Sequence, residues 1–204
     1  MKVAGVKGMI LAVLSRICAG VALALLASGP VLAEPPADPP AGQGQNGVDW
    51  FKEFGVEKPK RDPVTGELPV APYTPSNANA GAAPFEGTGM ADAFGGKAGI
   101  DKIANRLVDI AIIDPRIKGV FATSDLVRLR RTLYEQFCTI LNAGCAYSGR
   151  DMAESHKQLG IMSGEMNALV EDLQQAMRER HIPFATQNRF LAKLAPMKQD
   201  VVRR

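Results

Sequence analysis

Apolar residues recur at intervals of three and four along much of the second half of this chain of 204 residues. Such spacing places them on one face of an α-helix. Four long stretches show it: Ile100, Ile103, Leu107, Ile110 and Ala111; Leu126, Leu129, Leu133, Phe137 and Ile140; Met166, Leu169, Val170, Leu173 and Met177; and Phe190, Leu191, Leu194, Met197 and Val201. Strand-like alternation is not visible, so the pattern predicts an all-α domain over residues 86–204 whose helices bury their apolar faces against one another.

Capping residues predict where these helices begin and end. Asp114, followed by a proline, is typical of a helix start and predicts a short helix that runs to about Val120. Gly144 predicts the end of the second long helix. Ser163 is expected to cap the third helix, and Pro183 precedes the fourth.

The first 33 residues resemble a secretory signal peptide. Lys2 and Lys7 give a positive start, an apolar run follows Arg16, and residues 31–33 offer the small side chains of a cleavage site. A membrane anchor is the alternative, but Arg16 interrupts the stretch and the remaining apolar run is too short to span a bilayer. We therefore expect a periplasmic or secreted protein with no membrane span in the mature chain.

Residues 34–85 are rich in proline, alanine and glycine. Such a composition buries little apolar surface on folding, so it predicts a disordered linker that acts as an extended spacer. One aromatic cluster interrupts it, formed by Trp50, Phe51 and Phe54. Either this cluster docks on a partner, or its rings lie against the surface of the helical domain.

Removing the predicted signal peptide changes the charge of the chain. Residues 1–33 contain three bases and no acids, so 21 bases and 21 acids remain in the rest of the sequence. A mature chain of zero net charge gives no electrostatic support for a nucleic-acid partner. Two cysteines remain, Cys138 and Cys145, and from the sequence they either pair or stay as two thiols, because the separation of their Cα atoms cannot be read from it.

The chain contains few residues that could carry chemistry. It has no Cys-x-x-Cys motif, no glycine-rich phosphate loop and no His-Glu-x-x-His motif. Its two histidines are His156, which has the apolar neighbours Met152, Leu159 and Ile161, and His181, which falls near a helix end. A single imidazole suits haem iron but not a structural zinc site, although a hydrogen-bonded structural histidine is the simpler alternative.

Several short motifs, in this order and spacing, resemble those of the group I truncated haemoglobins over roughly residues 92–202. They are Phe94-Gly95-Gly96, Asp114-Pro115-Arg116, Val120-Phe121, the stretch from Tyr147 to Met152 followed by His156, Leu159-Gly160-Ile161, and Ile182-Pro183. The resemblance implies a truncated globin-like two-over-two helical sandwich that encloses haem b.

The resemblance also implies roles for individual residues. His156 would be the iron ligand, and Phe121 would pack on the face of the haem. The other residues expected around the haem are Leu129, Leu133 and Phe137 on the distal side and Met152, Leu159, Ile161, Met166 and Leu173 on the proximal side. Tyr147 and Arg130 would reach the haem carboxylates.

The sequence departs from the family at the positions that face a bound ligand. A tyrosine on the first helix and a glutamine on the second are common in the family, and here Val108 and Leu133 occupy those positions, beside Leu129. Such a pocket lacks a hydrogen-bond donor, so we expect reversible binding of a diatomic gas (O2, NO or CO) with weak retention of dioxygen. The alternatives are a haem-based redox enzyme (NO oxidation or peroxidase-like), served by a redox partner protein, and a haem-free globin-like interaction module.

Overall fold

The computed structural model describes residues 53–202, and this part of the chain is helical and contains no β-strand. The predicted signal peptide, much of the predicted linker, and Trp50 and Phe51 lie outside the described residues. None of the described helices is long and apolar enough to cross a membrane. The α-helices are α1 (Gly89–Ala93), α2 (Gly96–Ala111), α3 (Lys118–Phe121), α4 (Leu126–Ile140), α5 (Met152–His156), α6 (Ser163–Glu179), α7 (Phe184–Leu194) and α8 (Lys198–Val201), and two 3₁₀ turns span Asn77–Ala80 and Ala195–Met197.

The four predicted long helices correspond to α2, α4, α6 and α7, the last of which continues through the second 3₁₀ turn into α8. Helix α2 packs against both α4 and α6, and α6 packs against α7. The Phe190 ring lies at the centre of this core, where it contacts Phe94 and Phe137 edge-on at centroid distances of 5.2 and 5.1 Å. All three rings are buried, and such edge contacts add to the stabilisation that burial of the rings already provides.

Glycines allow α2 to start in close contact with α1. Gly95 and Gly96 have φ values of 78° and 61°, a left-handed conformation that costs other residues about 1 kcal/mol or more. A Cβ at Gly99 would lie 1.9 Å from the carbonyl oxygen of Phe94, so only glycine fits there. The Gly-Gly motif is therefore what lets the chain turn directly from α1 into α2.

Two predicted helix starts differ from the structure. Helix α3 begins at Lys118, later than predicted; the Asp114 carboxylate accepts the backbone N–H of Arg116 at 2.8 Å in a tight turn that precedes the helix. Helix α6 begins at Ser163 itself, and the residue before it is the cap. There the Glu165 carboxylate reaches back to accept the backbone N–H of Met162 at 2.7 Å, so the prediction that Ser163 is the cap is wrong by one residue.

Cys138 and Cys145 form a disulfide, with their Cα atoms 5.6 Å apart. The chain reverses after α4, where Asn142 and Gly144 both have positive φ values, 61° and 76°. This reversal returns Cys145 to the helix that carries Cys138. The structure therefore decides between the two alternatives in favour of pairing.

Residues 61–85, which we call the strap, differ from the expectation of an extended spacer. The Arg61 guanidinium pairs with Asp125 at 2.9 Å, and the backbone N–H of Leu68 donates to the same carboxylate at 2.7 Å. Glu67 is buried and pairs with Arg128 and Arg131 of α4. Polar and charged groups, rather than apolar burial, therefore hold this half of the strap on α4.

The second half of the strap contacts the loop before α5 and ends in the core. The Tyr73 hydroxyl donates to the carbonyl of Ser148 at 2.9 Å, and the Asn77 side chain accepts the backbone N–H of Tyr147 at 2.8 Å. Ala80 is completely buried, and the Phe85 backbone N–H donates to the carbonyl of Ile140 at 2.8 Å. The packed part of the described chain thus includes residues that their composition assigned to the linker.

Candidate functional site

A cavity of about 590 Å3 lies between α2, α4, α6 and the segment that contains α5, and mostly apolar side chains line it. Ligand pockets in proteins commonly have volumes of ~300–1,000 Å3. With the exception of Arg130, the structure brings the predicted site residues to this one cavity: Phe121, Leu129, Leu133, Phe137, Tyr147, Met152, His156, Leu159, Ile161, Met166 and Leu173. Their individual roles towards a ligand stay predictions.

His156 is the last residue of α5, a helix of five residues. The Asp151 carboxylate caps that helix by accepting the backbone N–H of Glu154 at 2.8 Å. The Nδ1 atom of His156 lies 2.7 Å from the backbone carbonyl oxygen of Met152. Because a carbonyl oxygen can only accept, Nδ1 must carry a proton, and in the neutral ring Nε2 then keeps a free electron pair.

The electron pair on Nε2 of His156 is suited to binding a metal ion. The described residues supply few other side chains that could complete the coordination of such an ion. Within residues 53–202 there is no cluster of three or more His, Cys, Asp or Glu side chains that could hold a metal ion. A single imidazole can hold iron when a flat macrocycle supplies the other ligands. The donor set and the apolar cavity beside it therefore fit haem, and they do not fit a structural zinc ion.

The cavity wall contains the two positions at which the sequence departs from the family that it resembles. Val108 of α2 and Leu133 of α4 both line the cavity, together with Leu129. The Thr132 side chain also lines it, but its hydroxyl donates to the carbonyl of Arg128 at 2.9 Å within the same helix. This stretch of wall thus presents apolar groups and no free hydrogen-bond donor.

Sequence reasoning missed Gln136, a buried polar residue in the wall of the cavity. Its Nε2 donates to the carbonyl of Ala80 at 2.9 Å and lies 3.4 Å from the sulfur of Met152. It follows Leu133 by three positions and Leu129 by seven, so all three share one face of α4. Helical spacing could have identified it, but a search for apolar residues passes over a glutamine.

The two residues expected to reach the haem carboxylates are engaged elsewhere. Tyr147 lines the cavity, but its hydroxyl donates to the carbonyl of Arg150 at 3.0 Å, and burial raises its pKa to about 12. The Arg130 guanidinium pairs with Asp109 at 2.6 Å and donates to the carbonyl of Asn105, so it joins α4 to α2 and is not part of the cavity wall. A role for Arg130 at a cofactor has no support from this geometry.

The carboxyl groups of Asp114 and Asp172 lie close together, and both lie near Arg116. Asp172 of α6 is buried with one side-chain oxygen unpartnered, and Asp114 lies beside it. Burial, followed by the charge of Asp114, raises the pKa of Asp172 to about 6. Arg116 lies 3.8 Å from Asp172 and 2.7 Å from Asp114, and it offsets part of this repulsion.

An all-α sandwich that presents one imidazole to an apolar slot is the arrangement of a globin. The family model described as "Bacterial-like globin" matches residues 90–203, and the chain belongs to that family. The predicted fold, a two-over-two helical sandwich of the truncated type, is confirmed.

Curated relatives refine this assignment. The chain is 30% identical over 95 residues to a group 1 truncated hemoglobin GlbN of Synechocystis sp., an alignment that covers 44% of this chain and 76% of the relative. It is 24% identical over 111 residues to the protein of the same description from Nostoc commune, covering 54% and 94%. The chain is therefore a group I-like truncated globin.

Solved structures show the same fold. The truncated hemoglobin of Tetrahymena pyriformis in its Fe(III) form superimposes with a TM-score of 0.54 at 18% identity, over 56% of this chain and 98% of that one. The 2/2 hemoglobin of Synechococcus sp. PCC 7002, solved in the cyanomet state with covalently attached heme, gives a TM-score of 0.52 at 16% identity, over 56% and 98%. The strap precedes the region that the family model matches.

Proposed function

We propose that this chain is a haem-binding globin that would bind a diatomic gas (O2, NO or CO) reversibly at the iron of haem b, which His156 would hold, in a pocket with an apolar distal wall. The observation that carries the proposal is the imidazole of His156, whose Nδ1 proton is held by the Met152 carbonyl while the ring lines an apolar cavity of about 590 Å3. The globin family and the truncated hemoglobin relatives support the same assignment.

Different residues of the chain orient the iron ligand and line the rest of the cavity. When bound, the iron of the haem supplies the coordination position that the gas occupies. The Met152 carbonyl keeps the proton on Nδ1 of His156, which orients the ring and makes Nε2 a stronger electron donor. Phe121 and the Leu and Met side chains around the cavity offer flat apolar contact and exclude water.

The decisive experiment compares the two histidines. We expect the reduced full-length protein to show a haem absorption spectrum that shifts when carbon monoxide is added. His156→Ala should lose this pigment, because His156 is the one histidine among the described residues that line the cavity. His181→Ala is the matched control, since His181 is exposed and follows the end of α6, and its spectrum should match that of the wild type. Full retention of haem and its spectrum in His156→Ala would show that another group holds the iron.

The apolar distal wall determines which gases are retained. A hydrogen bond to a polar ligand contributes about 1.5–3 kcal/mol when charge assists it, so its absence shortens retention of dioxygen about tenfold to a hundredfold. We expect Leu133→Gln to slow dioxygen release by about that factor and to change carbon monoxide release much less. Leu133→Met is the control, because it nearly conserves volume and adds no N–H group. Equal release rates in both variants would mean that Leu133 does not face the bound gas.

The same wall argues against the redox-enzyme alternative. Efficient cleavage of peroxide needs a general acid or base beside the reacting oxygen atoms. Val108, Leu129 and Leu133 supply neither. The redox partner protein also stays a prediction. No feature of the described surface is assigned to it.

We also propose that the protein acts in the periplasm or outside the cell. The Cys138–Cys145 disulfide supports this proposal, since disulfides persist in oxidising compartments and are rare in the cytosol. Cell fractionation, with alkylation of free thiols before lysis, tests it. A reduced protein recovered with the cytosolic fraction would contradict the proposal.

A further inference from the structure

The last turn of the strap forms part of the cavity's supporting wall. Ala80 is completely buried, and its carbonyl accepts the Nε2 hydrogen of Gln136 at 2.9 Å. Gly81 follows in a left-handed conformation with φ 83°. A Cβ on Gly81 would lie 2.9 Å from the sulfur of Met197 and 3.1 Å from Cγ of Met152, so the strap's main chain is in close contact with both side chains.

These contacts continue to His156. Gln136, held by the strap, lies with its Nε2 3.4 Å from the sulfur of Met152. Met152 is the first residue of α5, and its backbone carbonyl accepts the Nδ1 hydrogen of His156 at 2.7 Å. The strap therefore contacts, directly and through Gln136, the residue that orients the imidazole.

The strap also holds the loop that leads into α5. The Asn77 side chain accepts the backbone N–H of Tyr147 at 2.8 Å. The Asn79 side chain donates to the carbonyls of Thr74 at 3.1 Å and Gly149 at 3.2 Å. The approach to α5 and its first side chain are thus both attached to the same short segment, residues 77–81.

Helix α5 needs such support because it is short. Five residues form little more than one turn, and isolated helices of that length are not stable in water. Residues 157–160, which follow it, are exposed. Contacts from outside the helix must therefore fix the position of α5, and with it the position of the His156 ring.

We propose that residues 77–81 of the strap, acting through Gln136 and Met152, position the His156 imidazole for iron. The strap is then a functional part of the haem pocket, although it precedes the region that the globin family model matches. This inference rests on the proposed function, in which His156 is the iron ligand. Gln136 and the strap act as positioning residues because they reach the iron only through His156.

The first test compares two buried glutamines in the full-length protein. Gln136→Leu removes the bond to Ala80, and Gln187→Leu removes an equivalent bond from Gln187 to the carbonyl of Ile182, 2.7 Å long, elsewhere in the core. We expect both variants to lose similar stability to urea. Only Gln136→Leu should release haem faster to a haem-scavenging protein, by about tenfold, the lower end of what the loss of an outer-shell partner costs a metal site.

Two spectroscopic readouts separate positioning from general destabilisation. In the reduced haem-loaded protein, the iron–histidine stretching band in the resonance Raman spectrum should shift or broaden in Gln136→Leu and stay unchanged in Gln187→Leu. In the haem-free protein, 15N NMR of the His156 ring should report a proton held on Nδ1 in the wild type and in Gln187→Leu. In Gln136→Leu it should report a mixture of the two tautomers.

The second test displaces the strap without touching Gln136. Gly81→Ala places a Cβ against Met197 and Met152, whereas Gly87→Ala adds the same group at another left-handed glycine, φ 64°, with nothing within 4 Å. Both variants place alanine in a left-handed conformation, but only Gly81→Ala meets neighbouring side chains, so only it should reproduce the spectroscopic changes of Gln136→Leu.

The outcomes distinguish the two proposals. If Gln136→Leu and Gly81→Ala leave the His156 tautomer, the Raman band and haem release the same as in their controls, the positioning role is overturned while His156 remains the ligand. If the wild type itself shows no iron–histidine band, the proposed function fails. In that case, an altered His156 tautomer in the haem-free variants would still support positioning of the ring by the strap, and an unaltered one would overturn it.

Discussion

Replacing Glu67 by alanine tests whether the strap is folded onto the globin domain in solution. The Glu67 carboxylate lies 3.0 Å from the Nε of Arg128, and Arg131 donates to it as well. The exposed fractions of the side chains are 9% for Glu67, 21% for Arg128 and 33% for Arg131. Alanine would remove the shared counter-charge of two half-buried guanidinium groups.

The size of the effect follows from this partial burial. Removing one partner of a fully buried ion pair costs about 3–5 kcal/mol. Here both guanidinium groups keep some contact with water, and Arg131 keeps its pairing with Glu135 at 2.9 Å. We therefore expect Glu67→Ala to lower the free energy of unfolding by about 2 kcal/mol at pH 7.

Urea unfolding followed by circular dichroism measures this loss, and limited proteolysis reports release of the strap. Glu154→Ala is the control, since Glu154 pairs with Lys157 where both side chains are more than half exposed, and it should cost at most about 0.5 kcal/mol. Arg131, the larger influence, and Arg128 hold the pKa of Glu67 below its usual value of 4.5. Its contribution is therefore complete above about pH 4.5 and is lost as the pH falls below that, a dependence that Glu67→Ala should lack. If Glu67→Ala costs no more than Glu154→Ala and leaves the strap protected, these ion pairs do not hold the strap.

Two further predictions concern the globin domain itself. Because burial raises the pKa of Asp172 to about 6, the folded state binds more protons than the unfolded state between about pH 4 and 6, and stability falls as the pH rises through that window. Asp172→Asn should flatten this dependence and stabilise the protein above pH 6 by on the order of 1 kcal/mol, which urea titrations at several pH values would reveal; an unchanged slope would point to other groups. Replacing Cys138 and Cys145 by serine opens a loop with a sequence separation of 7, which should cost roughly 2.5 kcal/mol in thermal unfolding under oxidising conditions and nothing once the wild type is reduced.

The parts of the fold that the sequence predicted are those with a repeating pattern. Helices α2, α4, α6 and α7 each extend over three turns or more, so their apolar faces recur often enough to be recognised. Short elements depend on single hydrogen bonds instead. The Asp114 turn and the Met162 cap each followed from one carboxylate accepting one backbone N–H group, and a residue type alone does not reveal which N–H group that is.

Apolar periodicity and the resemblance to a family predicted the apolar residues of the site, but they did not predict its buried polar residue. Leu129, Leu133 and Phe137 recur on one face of α4, and all three line the cavity. Gln136 lies on the same face, but its partner is the carbonyl of Ala80, 56 positions earlier in the chain. A backbone carbonyl has no signature in sequence, so a buried glutamine that depends on one cannot be distinguished from an exposed glutamine.

The strap extends this reasoning to a whole segment. Composition correctly indicates that residues 61–85 have few apolar groups with which to form a core of their own. It does not indicate that the helical domain offers them arginine side chains and backbone groups as partners, as α4 and the loop before α5 do. A proline-rich segment that cannot form a core of its own can thus be ordered by contacts with a neighbouring domain. The last turn of the strap contacts Met152, the residue that orients His156. A globin domain defined by its helices alone would therefore leave out part of what supports the proposed iron ligand.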